Sequence, residues 1–107
     1  EFGVSEHVAT VLLAAREGGS TARGAVNLRY DPALLDQLEA SFPTIEFDPE
    51  RSTREAVRDA VAAADLAASD GTEALVLYQT GAVGIEPIVY VLAPSAPEAA
   101  RIVRDIV

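Results

Sequence analysis

Three short segments carry side chains whose types and spacing could bind a small ligand, and two of them could hold an anion such as a phosphate or carboxylate. In Gly3-Val4-Ser5-Glu6-His7 a glycine-led turn runs into an amphipathic stretch. A helix begun there leaves backbone N–H groups free at the positive end of its dipole, where a phosphate or carboxylate can sit with the Ser5 hydroxyl as a further donor. His7 would add an imidazole. The plainer reading is a Ser5 N-cap with His7 exposed on the first turn, and spacing alone favours it.

Asn27 and Arg29 form the second candidate. They alternate with Val26, Leu28 and Tyr30, so a strand over 25–30 projects both from one face and the apolar side chains from the other. A guanidinium is a fork of donors matched to phosphate or carboxylate, and an asparagine can read an amide or an aminopyrimidine edge. The competing reading is a solvated edge-strand face, or an Arg29 paired with one of the many carboxylates. The third candidate is Thr80-Gly81-Ala82-Val83-Gly84-Ile85-Glu86-Pro87. Gly81 and Gly84 permit unusual backbone angles and close approach to a ligand, and Glu86 stands at a strand entrance. A simple hairpin loop explains the glycines equally well.

Other chemistries find no support. There is no phosphate-binding G-x-x-x-x-G-K loop, no H-E-x-x-H and no nucleophile elbow. With no cysteine there is no disulfide, thiolate metal site or thiol nucleophile, and one histidine restricts any hydrolytic triad to His7. No tight aspartate pair marks a metal site, so none is expected.

The 107 residues suit a single domain, read here as a C-terminal fragment of a longer protein. Acidic residues number 17 against 8 basic ones, a formal charge of -9, and every basic residue is arginine. Such a surface fits a halophilic host, where salt screens the repulsion of like charges. Phosphate backbones and anionic lipids attract basic patches, so direct nucleic-acid or membrane binding by this segment is not expected. The apolar run Ile88–Ala93 is far shorter than the roughly 20 residues that span a bilayer, and a reducing cytoplasm is the expected compartment.

The elements that must position these residues follow from periodicity and punctuation. Ser5 opens a helix of about 13 residues, with Val8, Val11, Leu12 and Ala15 on one stripe until Gly18-Gly19. A strand over 25–30 follows, then a helix begun by Asp31-Pro32 and running to about Ser41. Thr44 to Asp48 reads as a short strand, and Ser52-Thr53-Arg54-Glu55 as a capping box opening a helix that ends near Asp70-Gly71. Ala74–Gln79 reads as an interior strand. Pro87–Ala93 reads as another, joined by too short a loop to be anything but antiparallel, and Ser95 opens a last helix. The expected fold is α/β, with helices packed on a mixed four-stranded sheet ending in an antiparallel strand pair.

Taken together, these segments resemble the archaeal thiamine-phosphate synthase family known as ThiN. That family carries a phenylalanine-glycine-x-serine-serine-histidine-valine-alanine helix start, an asparagine-x-arginine-tyrosine strand and a glycine-x-x-glycine-lysine-glutamate-proline loop. Matching residues here are Phe2, Gly3, Ser5, His7, Val8 and Ala9, then Asn27, Arg29 and Tyr30, then Gly81, Gly84, Glu86 and Pro87. The resemblance implies Gly3, Ser5, His7, Asn27, Arg29, Gly81, Gly84 and Glu86 around a ligand, with His7 and Arg29 on phosphate oxygens. It implies one of two settings: a catalytic domain fused to a pyrimidine kinase, or the effector domain of a helix-turn-helix regulator of thiamine genes. The catalytic form joins an aminopyrimidine methyl diphosphate to a thiazole phosphate, and only there is Mg²⁺ expected.

Departures from the pattern point to the second setting. Glu6 stands where the family has a second serine, and a carboxylate beside an anion site weakens it. Ile85 stands where the loop usually carries lysine, removing a cation that would neutralise leaving pyrophosphate. The catalytic form also has an arginine-containing segment that would lie ahead of Glu1. The expectation is therefore a sensor of thiamine phosphate or a phosphorylated precursor, controlling an upstream DNA-binding module. The alternatives are an active synthase domain and an interaction domain that only dimerises, for which an apolar edge strand would serve.

Overall fold

The cap at Asp31 shows how local chemistry sets the elements. In the computed structural model, which describes residues 6–64 and 74–106 apart from the Glu6 side chain, Asp31 Oδ1 accepts from the Ala33 N–H at 2.9 Å. Pro32 follows at the first helical position, where its missing donor costs nothing. Helix α2 (Pro32–Ser41) ends where Phe42 turns extended ahead of Pro43, its N–H still reaching the Leu38 carbonyl at 2.8 Å. Helix α1 (Glu6–Glu17) ends at Gly18-Gly19, where Gly19 has φ +120° and the Ser20 N–H returns to the Ala15 carbonyl at 2.9 Å.

The remaining elements are β1 (Gly24–Arg29), β2 (Thr44–Glu46), α3 (Thr53–Ala64), β3 (Leu75–Gln79), β4 (Ile88–Ala93) and α4 (Ala96–Ile106). The sheet order is β1-β4-β3-β2. Strand β4 runs antiparallel to both β1 and β3, and β2 runs parallel to β3, so β1, β2 and β3 all point the same way.

Helices cover both faces. On one face Val11, Ala14 and Ala15 of α1 and Val57 and Val61 of α3 pack on Leu75, Leu77, Tyr90 and Leu92. On the other, Leu35 and Leu38 of α2 and Ala99 and Ile102 of α4 pack on Val76, Val89 and Val91. A central strand buried on both faces loses alternation, which is why β3 and β4 read as continuous apolar runs while β1 alternates. The expected α/β fold with a mixed four-stranded sheet is the observed one.

Strands β3 and β4 each begin one residue later than expected, at Leu75 and Ile88, and β1 ends one residue sooner, at Arg29; two further boundaries differ for identifiable reasons. Strand β2 pairs only over Thr44–Glu46, although the Phe47 N–H still donates to the Tyr78 carbonyl at 2.9 Å. The chain then turns away, with Asp48 Oδ1 accepting from the Glu50 N–H at 2.9 Å. Strand β1 starts one residue early, at Gly24, where the backbone passes so close to Ser95 and Ala96 that a Cβ would collide with main-chain atoms. The expected helix end near Asp70-Gly71 lies outside the described residues.

Candidate functional site

Because β1, β2 and β3 are parallel, their carboxyl ends, at Arg29, Glu46 and Gln79, lie at one end of the sheet. Open α/β sheets bind ligands beyond such ends. A cleft of about 480 Å³ opens there. Phe47, just past β2, and Tyr90, in β4, form its aromatic floor, with ring centroids 6.4 Å apart and planes inclined by 35°. Both are buried, and burial pushes the Tyr90 phenol above its ordinary value, so it stays neutral at physiological pH. Pro49, Ile85, Pro87 and Ile88 add apolar wall, and His7, Thr53, Gln79 and Glu86 bring polar groups.

His7 is the second residue of α1 and Thr53 the first of α3, so the opening turns of both helices face the cleft. Helix N-termini offer unsatisfied N–H donors and positive potential, which favour an anion.

The loop from β3 to β4 closes one side. Ala82 and Ile85 exchange two backbone hydrogen bonds, at 3.1 and 2.9 Å, leaving Val83-Gly84 as a two-residue turn. Gly84 has φ +76° and Gly81 φ +90°, and at Gly81 a Cβ would also lie 3.0 Å from the Ile85 carbonyl oxygen. Gln79 ties the loop to the sheet, its Nε2 donating to the Glu86 carbonyl at 2.7 Å and its Oε1 accepting from the Gly81 N–H at 2.6 Å.

His7, Gly84 and Glu86 thus line one cleft, and Gly81 shapes its loop. Asn27 and Arg29 stand beside it, opposite the cleft residues Tyr90 and Ile88 in the β1–β4 ladder and on the same sheet face. Both are exposed, and among the described residues no ion pair engages Arg29. Carboxylates pair elsewhere: Glu17 with Arg54 at 2.6 Å, and Asp59 with Arg51 at 2.8 Å and Arg58 at 3.1 Å. Gly3 and Ser5 lie outside the described residues.

Phe47, Tyr90, Thr53 and Gln79 join the site from positions that the sequence marks only as strand, cap or core. A polar side chain closing an otherwise apolar interior strand is the one signal that could have pointed to Gln79. Among the described residues no group of three or more histidine or acidic side chains gathers as a metal would require. Among the described residues that line the cleft, Glu86 is the one carboxylate.

The model of the family described as thiamine-phosphate synthase ThiN matches residues 1–105. The chain belongs to the ThiN family.

Among relatives, it is similar to the bifunctional thiamine biosynthesis protein ThiDN of Methanocaldococcus jannaschii, 28% identical over 106 residues. That match covers 99% of this chain and 25% of the relative, so the chain spans about a quarter of its length. The crystal structure of the C-terminal domain of protein MJ0236 superposes with a TM-score of 0.70 at 29% identity, covering 99% of this chain and 59% of that one. The C-terminal domain of phosphomethylpyrimidine kinase also superposes with a TM-score of 0.70, at 21% identity, over 100% of this chain and 64% of its own length. The helices packed on a mixed four-stranded sheet are thus the fold of ThiN-like domains. Among the described residues no helix is long and apolar enough to cross a membrane.

In this ThiN domain Ile85 fills the loop position where the resemblance leads one to expect lysine, and it contributes apolar surface to the cleft. No lysine or arginine is among the residues that line it.

Proposed function

We propose that this ThiN domain binds thiamine phosphate or a related phosphorylated precursor in the cleft at the carboxyl ends of β1, β2 and β3. The observation that carries this reading is the pairing of an aromatic floor, Phe47 and Tyr90, with an anion-favouring rim at the opening turns of α1 and α3. A ring lies on the floor, and its phosphate reaches toward His7 and Arg29. Asn27 and Glu86 read polar edges of the ligand, while Gly81 and Gly84 let the loop backbone approach it. Gly3 and Ser5, outside the described residues, remain expected ligand contacts on their match to the family pattern alone.

In this reading the role is that of a sensor, in which the bound ligand favours one arrangement of the domain and so controls an attached DNA-binding module. Its support is the charge count at the cleft. Ile85 replaces a loop cation, no lysine or arginine lines the wall, and Arg29 is the one guanidinium placed beside it by strand pairing. That suffices to hold a phosphate, whereas transfer of a diphosphate-activated group needs stronger compensation of the leaving charge. The acid-rich, lysine-free surface supports a halophilic origin.

A thiamine-phosphate synthase domain is the second reading, favoured by the description of the matching family and the name of the bifunctional relative. Incubation with an aminopyrimidine methyl diphosphate and a thiazole phosphate, with and without Mg²⁺, separates the two. Binding without turnover is the expected result, and formation of thiamine phosphate and pyrophosphate would replace the sensor by the synthase.

A further inference from the structure

Gln79 ends β3 against the cleft, and among the described residues it is the one polar or charged side chain that is buried, at 5% exposure. A carboxamide withdrawn from water costs stability unless its donors and acceptors are met. Here they are met by the Gly81 N–H on Oε1 and the Glu86 carbonyl on Nε2. An N–H only donates and a carbonyl only accepts, so a single orientation of the amide satisfies both.

The two partners flank the Ala82–Ile85 turn, one before it and one after. The bonds between Ala82 and Ile85 are internal to the loop and set its shape, but not its position relative to the sheet. Position comes from Gln79, which grips both arms of the loop from the end of a central strand.

We infer that Gln79 is a positioning residue of the cleft, fixing where Ile85 and Glu86 stand against the floor of Phe47 and Tyr90. Its effect on affinity rests on the ligand-binding reading above, whereas its effect on the loop rests on geometry alone.

Two substitutions test this. Gln79→Leu removes both bonds at similar volume. Gln79→Glu keeps the acceptor for the Gly81 N–H; ionised, it sets a carboxylate oxygen against the Glu86 carbonyl, and protonated, it donates an O–H to that carbonyl. Burial raises a carboxyl's pKa, so recovery on acidification is within reach.

Hydrogen exchange of the amides from Gly81 to Glu86, the melting temperature and calorimetric affinity for thiamine phosphate would be measured on this chain. Gln79→Leu should speed loop exchange and weaken binding by about 10-fold or more while the β4 amides stay protected. Gln79→Glu should behave likewise near pH 8 and return toward the wild type, compared at the same pH, near pH 5. A staple for stability alone would lower the melting temperature of both variants and leave the affinity of the folded protein unchanged, which overturns the inference. Should the wild type itself take no thiamine phosphate, the ligand reading falls; loop-confined exchange with acid rescue then still upholds Gln79 as the anchor, and unchanged exchange overturns it.

Discussion

Arg29 stands directly opposite Ile88 in the β1–β4 ladder, and Ile88 forms part of the cleft wall. Paired strand positions project to the same face with Cβ atoms about 5 Å apart, so a long guanidinium at Arg29 can reach over the cleft. With the loop position held by Ile85, that cation carries much of the phosphate binding in the proposed function.

Arg29→Ala should therefore weaken thiamine phosphate binding by about 10- to 150-fold, the loss of about 1.5–3 kcal/mol from a charged hydrogen bond. The side chain is exposed and makes no ion pair among the described residues, so the melting temperature should hardly move. Calorimetry beside thermal denaturation checks both, and an unchanged affinity would remove Arg29 from the site.

Gly24 offers a test of the packing between β1 and α4. A methyl group there meets main-chain atoms of Ser95 and Ala96, which cannot rotate aside. Gly24→Ala should cost about 3 kcal/mol or more and lower the melting temperature by over about 10 °C. Gly19→Ala meets open space and strains only a φ of +120°, so about 1–2 kcal/mol is expected. The reverse ranking would contradict the close passage of the two segments.

Much of this architecture is legible in the sequence because its signals are local. Asp31-Pro32 starts α2 by a cap and a missing donor, and the unbroken apolar runs of β3 and β4 announce strands covered on both faces. Phe47 misleads, since its apolar side chain extends the strand pattern past the last ladder pair of β2. The site divides in the same way. His7, Gly84 and Glu86 stand out from their local pattern, whereas Phe47 and Tyr90 look like ordinary core. Only the register that sets Tyr90 opposite Leu77, and Gln79 opposite Ile88, brings floor and anchor together.

Acid sensitivity should trace in part to two exposed carboxylates held in ion pairs, Glu17 and Asp59. The hydrogen bond from Arg54 holds the Glu17 carboxyl below its ordinary value, and those from Arg51 and Arg58 do the same for Asp59. A depressed folded-state pKa contributes stability that is full above the ordinary values, 4.5 and 3.8, and is lost as pH falls through the lower folded ones. The Glu17→Gln, Asp59→Asn double variant should lose stability less steeply than the wild type between about pH 5 and pH 2. Urea midpoints measured across that range decide it, and equal slopes would show the pairs to be without effect.

Salt should stabilise the chain. At a formal charge of -9 self-repulsion opposes the compact state, and raising salt from about 0.01 M to about 1 M shortens the screening length from about 30 Å to about 3 Å. The few exposed ion pairs are weakened too, but solvent already screens them, so each contributes little. The melting temperature should rise over that range, and a fall would mean that the pairs outweigh the repulsion.

The most direct test of the central claim is calorimetric titration of this chain with thiamine phosphate at about 1 M salt, where repulsion between an anionic ligand and an acidic protein is screened. One ligand should bind per chain, with a negative heat-capacity change from covering the Phe47 and Tyr90 floor. Absence of heat with thiamine phosphate and with both phosphorylated precursors, across several temperatures, would contradict the assignment of the cleft.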